Sequence, residues 1–301
     1  MVIDHPLTRF LPDGLTARTI EMVEAPRPPF PEPFLHETLA EIVPGTARLR
    51  IEAAALRARL PRPEPVGLIL HTGRSGSTLL CRMLEQAAPI VTFREPEVVG
   101  QAAASPYARE LVPTIVGHYA WVAAAHGRRA FLKLPSHAHQ LLAELQPPPS
   151  TPVTILLRHP LDVAASMVAD RPAWLDPSAD ERTVTDAAAA VWNAIAAIAD
   201  AHPKAVVLTH GTLLADPDAC VRRVAAAAGI DVPLEPVQER LLHLDAKTSA
   251  PWRPRGRASL DPAARARLLA TTADARRRLA RLARPGELDD DPPVPPGGGQ
   301  P

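Results

Sequence analysis

The residues able to do chemistry concentrate in a few short stretches, and the first is "LILHTGRSGSTLLCRML", residues 68 to 84, where an apolar run breaks into small and hydroxyl residues before helix formers resume. A strand, a glycine-shaped turn and a helix start in that order make an anion site. The first amides of a helix have no intrahelical acceptor, and the helix dipole favours negative charge at that end. Loops that hold nucleoside triphosphates follow G-x-x-x-x-G-K-[ST], with the lysine reaching the terminal phosphates. Aligned on Gly76-Ser77-Thr78, this chain has Ser77 where the lysine stands and His71 where the first glycine stands. Arg74 supplies a cation inside the loop instead, so the anion site is kept and the metal-holding arrangement of an NTPase is not.

The second stretch is "VTILLRHPLDVAASM", residues 153 to 167. A strand runs into Arg158, Pro160 opens a helix, and Ser166 falls two turns along it. An arginine at the C-terminal end of a parallel strand lies on the ligand-binding edge of the sheet, where its fork of donors suits a second phosphate. Two further strand ends carry Glu95, in "VTFREPEVV", and Lys133, in "AFLKLPSHAHQ" with His137 and His139 behind it. Lysine is scarce here. Only Lys133, Lys204 and Lys247 stand among the 33 basic residues, which singles out Lys133 at a strand end.

The elements that must position these residues follow from the texture of the chain. Apolar runs at 66–71, 90–93, 130–134, 153–157 and 205–208 alternate with helical patterns around 78–87, 107–126, 136–146, 160–169, 183–201 and 217–228. That alternation predicts a three-layer α/β/α fold around a central parallel sheet. Asp261-Pro262, an N-cap followed by proline at the first helical position, opens a last helix to about Ala283. Residues 1–64 carry proline-rich stretches and helical patterns at "LHETLAEIV" and "ARLRIEAAALRARL" with no obvious strand. They read as an N-terminal helical extension, residues 65–284 as the α/β domain, and residues 285–301 as a disordered tail. Trp192, at helical spacing in "AAVWNAIAAI", is expected in the core.

Composition excludes several classes. The 33 basic residues balance 33 acidic ones, so nothing draws the whole chain to nucleic acid or an anionic membrane. Cys81 and Cys220 have no second ligand at metal spacing and predict neither a disulfide framework nor a zinc site. No apolar run approaches a membrane span and the start lacks a signal pattern, which predicts a soluble cytoplasmic protein.

Taken together, Arg74-Ser75-Gly76-Ser77-Thr78 after a first strand and Arg158 to Ser166 after a later one resemble the PAPS-dependent sulfotransferase family. "FLKLPSHAHQLLAEL" is similar to the L-K-x-P-x-H segment of bacterial members. "LTHGTLLADPDACVRRVAAAAGI" is similar to a later segment, with His210-Gly211-Thr212 where an acidic residue is usual. The resemblance implies a P-loop fold with 3′-phosphoadenosine 5′-phosphosulfate (PAPS) as co-substrate and a hydroxyl or amine acceptor, without a metal. It implies that Gly73, Arg74, Ser75, Gly76, Ser77 and Thr78 hold the 5′ end. Arg158 and Ser166 would grip the 3′-phosphate, joined by Arg255 and Gly256 in "WRPRGRAS", with Trp252 a candidate cover for the nucleotide. Lys133 would stabilise charge together with Arg74, as in the tyrosylprotein branch, and the proton acceptor would be Glu95, favoured, or His137. A nucleotide kinase or NTPase with a degenerate loop, and a non-catalytic nucleotide-binding scaffold, are the alternatives.

Overall fold

The N-terminal segment is where structure and sequence reading part. The computed structural model describes residues 5–30, 32, 35–40, 45–61, 65–140, 147–231, 234–243, 258–284 and 288. Within it, β1 (Phe10–Thr16), β2 (Thr19–Glu24) and β3 (Arg48–Glu52) form an antiparallel sheet in that order, where the sequence predicted no strand. The expected helices shrink to α1 (Leu35–Ala40) and α2 (Ala53–Arg57). The reason lies in the side-chain period. Leu49 and Ile51 alternate with Arg48, Arg50 and Glu52, a strand pattern that continues straight into the alanine-rich helix and so reads as one helical run. Pro12 and Gly14 obscure β1, yet β1 is an edge strand with a register shift between those two residues, where proline is tolerated. Its sheet buries Leu11, Ile20, Met22 and Val23, while Arg48–Asp13 and Arg50–Glu21 pair at 2.7 and 2.8 Å on the outer side.

The remaining strands are β4 (Gly67–His71), β5 (Ile90–Arg94), β6 (Arg129–Lys133), β7 (Val153–Leu157) and β8 (Val206–Thr209). They form a fully parallel sheet in the order β5-β6-β4-β7-β8. The first of the five, β4, therefore sits in the middle, and the chain moves to one side of it and then to the other. Such a reversal opens a crevice beyond the carboxyl ends of the central strands. Gly67 lies opposite Phe131 across the β4–β6 ladder, and a Cβ there would meet the Phe131 ring at 2.3 Å, so any side chain would have to displace that buried ring.

Helices cover both faces. Leu68, Leu70, Leu132, Ile155 and Leu157 point into one core with the N-terminal sheet, α5 (Ala108–Ala125) and α7 (Glu181–Ala201), which contains the buried Trp192. The alternate residues Ile69, Phe131 and Leu156 point into a second core with α3 (Ser77–Ala87) and α9 (Pro217–Ala227). This is the three-layer architecture the alternation predicted. A third cluster joins α6 (Pro160–Ala169) and α7 to α10 (Pro262–Ala280), which starts on the Asp261 cap as expected. Two helices went unpredicted, α4 (Glu97–Ala104) and α8 (His210–Ala215). The 136–146 helix is described as far as residue 140, opening with a 3-10 turn over Ser136–Ala138 and turning α-helical at 139–140. Of the 285–301 tail only Leu288 is described, half-buried against the first core. No helix among the described residues is long and apolar enough to cross a membrane.

Candidate active site

Four strand ends converge on one edge of the parallel sheet. The loop after β4 turns through Gly73, Arg74 and Gly76, all at positive φ (76, 52 and 87°), and delivers Gly76 as the N-cap of α3 without a side-chain cap. The opening amides of α3 thus keep their donors for a ligand. A Cβ at Gly76 would stand 3.0 Å from the His210 ring, so the left-handed turn and the tight packing both require glycine there. Ser75 is fully buried, and its Oγ has no partner among the described residues.

The loop is held from both sides, by His71 next to it in sequence and by His210 and Arg158 from far along the chain. The Gly73 amide donates to His71 Nδ1 at 3.1 Å, and His210 Nδ1 donates to the Ser75 carbonyl at 3.0 Å. Arg158 donates Nη1 to the Arg74 carbonyl at 2.8 Å, and its own amide donates to Thr72 Oγ1 at 3.1 Å. The second phosphate-binding candidate is therefore built onto the first. The Arg158 guanidinium also lies 3.7 Å from Asp162 at the start of α6. Ser166, one turn beyond Asp162 on the same helix face, is half-buried. The Arg74 side chain reaches Asp170, at 2.6 Å to its carbonyl and 2.9 Å to its carboxylate, a partner 96 residues away.

Glu95 and Lys133, assigned to neighbouring strand ends, meet directly. Lys133 Nζ donates to Glu95 Oε1; the lysine side chain is 1% exposed and the glutamate 26%, so the pair opens toward solvent on its carboxylate side. Glu95 sits at φ 53°, a left-handed conformation costly for a residue with a Cβ, and its amide bonds the Lys133 carbonyl at 2.6 Å. The preceding residue anchors the strand. Buried Arg94 donates to the Phe30 carbonyl of the N-terminal segment and lies 3.8 Å from Glu85 of α3. Burial raises the Glu85 carboxyl, opposed by Arg94 and by Thr92, which donates its hydroxyl and amide at 2.6 and 2.9 Å.

Two imidazoles back the pair. His71 Nε2 lies 3.9 Å from Glu95 Oε1, and the His139 ring meets His71 edge-on at 5.7 Å between centroids. Complete burial drives the His139 imidazole well below its ordinary range, so it stays neutral. His137, the rival proton acceptor, stands on the exposed side with its ring 5.4 Å from Trp174, itself 36% exposed. Partial desolvation lowers the His137 imidazole, while Glu95 and Glu97 pull it back up. Arg255, Gly256 and Trp252 lie outside the described residues.

Sequence reasoning missed His71 as more than a replaced glycine, Asp170, and the contact of His210 with the loop. The only signal for His71 was its place at the first glycine of the loop pattern. The other two contacts are made by tertiary packing and leave no local signature.

No family model matches the sequence, and none of the curated proteins compared with it is similar. Among solved structures the chain is similar to a sulfotransferase from Alicyclobacillus acidocaldarius, at 18% identity over 74% of this chain and 96% of that one, with a TM-score of 0.44. It is also similar to the sulfotransferase domain of the curacin biosynthetic pathway, at 16% identity over 72% and 98% of the two chains and a TM-score of 0.47. A retinol dehydratase complexed with retinol and PAP matches at 13% identity over 77% and 88%, with a TM-score of 0.38. Likeness at this level assigns neither activity nor ligand to this chain; the fold stands on its own strand order.

Proposed function

We propose that this chain is a sulfotransferase that moves the sulfuryl group of PAPS to a hydroxyl or amine acceptor. The observation that carries the proposal is the buried Lys133 bonded to the half-open Glu95 on the sheet edge that also bears the anion loop. An anion loop alone suits many nucleotides. A carboxylate and an ammonium side by side at its mouth suit a reaction that must accept one proton and stabilise one departing oxygen.

In the proposed reaction the acceptor oxygen or nitrogen forms a bond to sulfur as the bond from sulfur to the bridging phosphate oxygen breaks, and that oxygen leaves with the electron pair. Glu95 accepts the acceptor proton. Lys133 and the loop amides stabilise the negative charge on the leaving 3′-phosphoadenosine 5′-phosphate (PAP). Arg158 and Ser166 hold the 3′-phosphate, and Arg74 passes from Asp170 toward the 5′ end. The acceptor approaches across His137 and Trp174, the exposed side of the pair.

Calorimetric titration tests the donor. The proposal expects saturable binding of PAP without added metal and weaker binding of ATP with magnesium. Tight binding of ATP with none of PAP would overturn it in favour of a kinase or NTPase.

A further inference from the structure

We infer that His71 is a positioning residue that ties the anion loop to the Glu95 carboxylate and takes over that carboxylate when Lys133 turns to the donor. The inference rests on the reading of Glu95 as the proton acceptor.

The imidazole has one task on each side. A backbone amide can only donate, so the bond from Gly73 fixes Nδ1 as the acceptor and leaves the proton of the neutral ring on Nε2. That Nε2 faces Glu95 Oε1 at 3.9 Å, the same oxygen that Lys133 Nζ holds. The separation exceeds a hydrogen bond by less than 1 Å, since such bonds run to about 3.2 Å. With Lys133 in place, the lysine holds the oxygen and His71 stands behind it. Where a bound donor draws Lys133 Nζ toward its bridging oxygen and away from Oε1, a small rotation of Glu95 brings that oxygen onto the His71 N–H. The carboxylate then keeps its aim while its other oxygen faces the acceptor.

Surrounding groups favour this arrangement. His71 ends β4 and is 5% exposed, with the neutral His139 ring edge-on against it, so the imidazole has little room to turn. Glu95, strained at positive φ and bonded through its amide to Lys133, is fixed at its backbone and adjustable only in its side chain. A glycine at position 71, as in nucleotide-hydrolysing loops, has no side chain to perform either task.

Two substitutions separate the tasks. In His71→Asn the side-chain oxygen reproduces the acceptor at Nδ1 and removes the group facing Glu95. In His71→Gln the amide nitrogen reproduces the donor at Nε2 and removes the acceptor for Gly73. With PAP release from PAPS followed against a panel of phenols and with water alone, His71→Asn is expected to lose turnover at saturating donor by roughly tenfold, more than it loses PAP affinity. His71→Gln is expected to lose PAP affinity by roughly tenfold, more than turnover, as suits one hydrogen bond. Nitrogen-15 NMR of the wild-type imidazole should show the Nε2–H form before any nucleotide is added, and this readout survives if the wild type binds no PAP and the sulfotransferase reading fails. A proton on Nδ1, parallel losses of affinity and turnover in both variants, or no loss in either, would overturn the inference.

Discussion

The two sheets of this protein solve opposite problems. Every strand of the parallel sheet except β8 is buried nearly throughout, and its charged and imidazole groups, Arg129 at the start of β6 apart, gather where the strands end: His71, Arg94, Glu95, Lys133 and Arg158. The antiparallel sheet is half-buried, with alternate residues exposed along β3, and pairs its charges on the surface. In the first, charge gathers mainly at one edge, where it can act on a ligand; in the second, charge is spread and keeps a half-buried sheet in water. Yet the second supports the first. Phe30 packs on Phe93 at 5.7 Å between rings and accepts from Arg94, one residue before Glu95.

The comparison breaks most sharply at the site itself. Lys133→Ala and Glu95→Gln should each cut turnover by about 10²–10⁴-fold while retaining PAP binding, because their work falls in the transition state. Rapid-quench assays of PAP release, paired with calorimetry, check this; if nucleotide affinity falls in step with turnover, the two residues serve binding and the division between edge and scaffold fails.

In the antiparallel sheet the expected loss is one of stability. Ile20 is fully buried, and Ile20→Ala should destabilise the fold by about 2–5 kcal/mol in urea titrations. Protein that remains folded should bind PAP with unchanged affinity. A change in affinity without loss of stability would place the N-terminal sheet in the site itself.

A pH-dependent effect, absent at neutral pH, joins the sheet to α5. His118 Nε2 donates to the Phe10 carbonyl of β1 at 2.8 Å, and burial lowers its imidazole to about 4. Its pKa is depressed on folding, so below pH ~6.5 the unfolded chain binds the proton more readily. Stability is then full above pH ~6.5 and falls on the order of 3 kcal/mol as pH drops toward 4, from this group alone. Comparing wild type with His118→Gln at pH 7 and 5 isolates the contribution; equal acid sensitivity in both would contradict it.

The same contrast explains what the sequence revealed. Buried parallel strands are continuous apolar runs, so all five were legible to within a residue or two, and the loop and Arg158 announced themselves through short local patterns. Strands β1 to β3 carry proline, glycine and alternating charge, and their burial depends on contact with α4 and α5, which no local window contains. Within the site, Glu95 and Lys133 were readable as strand ends, but their direct contact follows from β5 and β6 being neighbours. The grip of Asp170 on Arg74 joins residues 96 apart and depends on the packing of α6 beside the loop.

The central claim, that this sheet edge holds a bisphosphate donor with its sulfuryl end at Lys133 and Glu95, is tested most directly by a structure of the wild-type chain with PAP. The 5′-phosphate should lie on the amides of Ser75 to Thr78 and within reach of Lys133, with the 3′-phosphate on Arg158 and Ser166. A 3′-phosphate in the loop, or crystals soaked in saturating PAP that hold none on this edge, would contradict it.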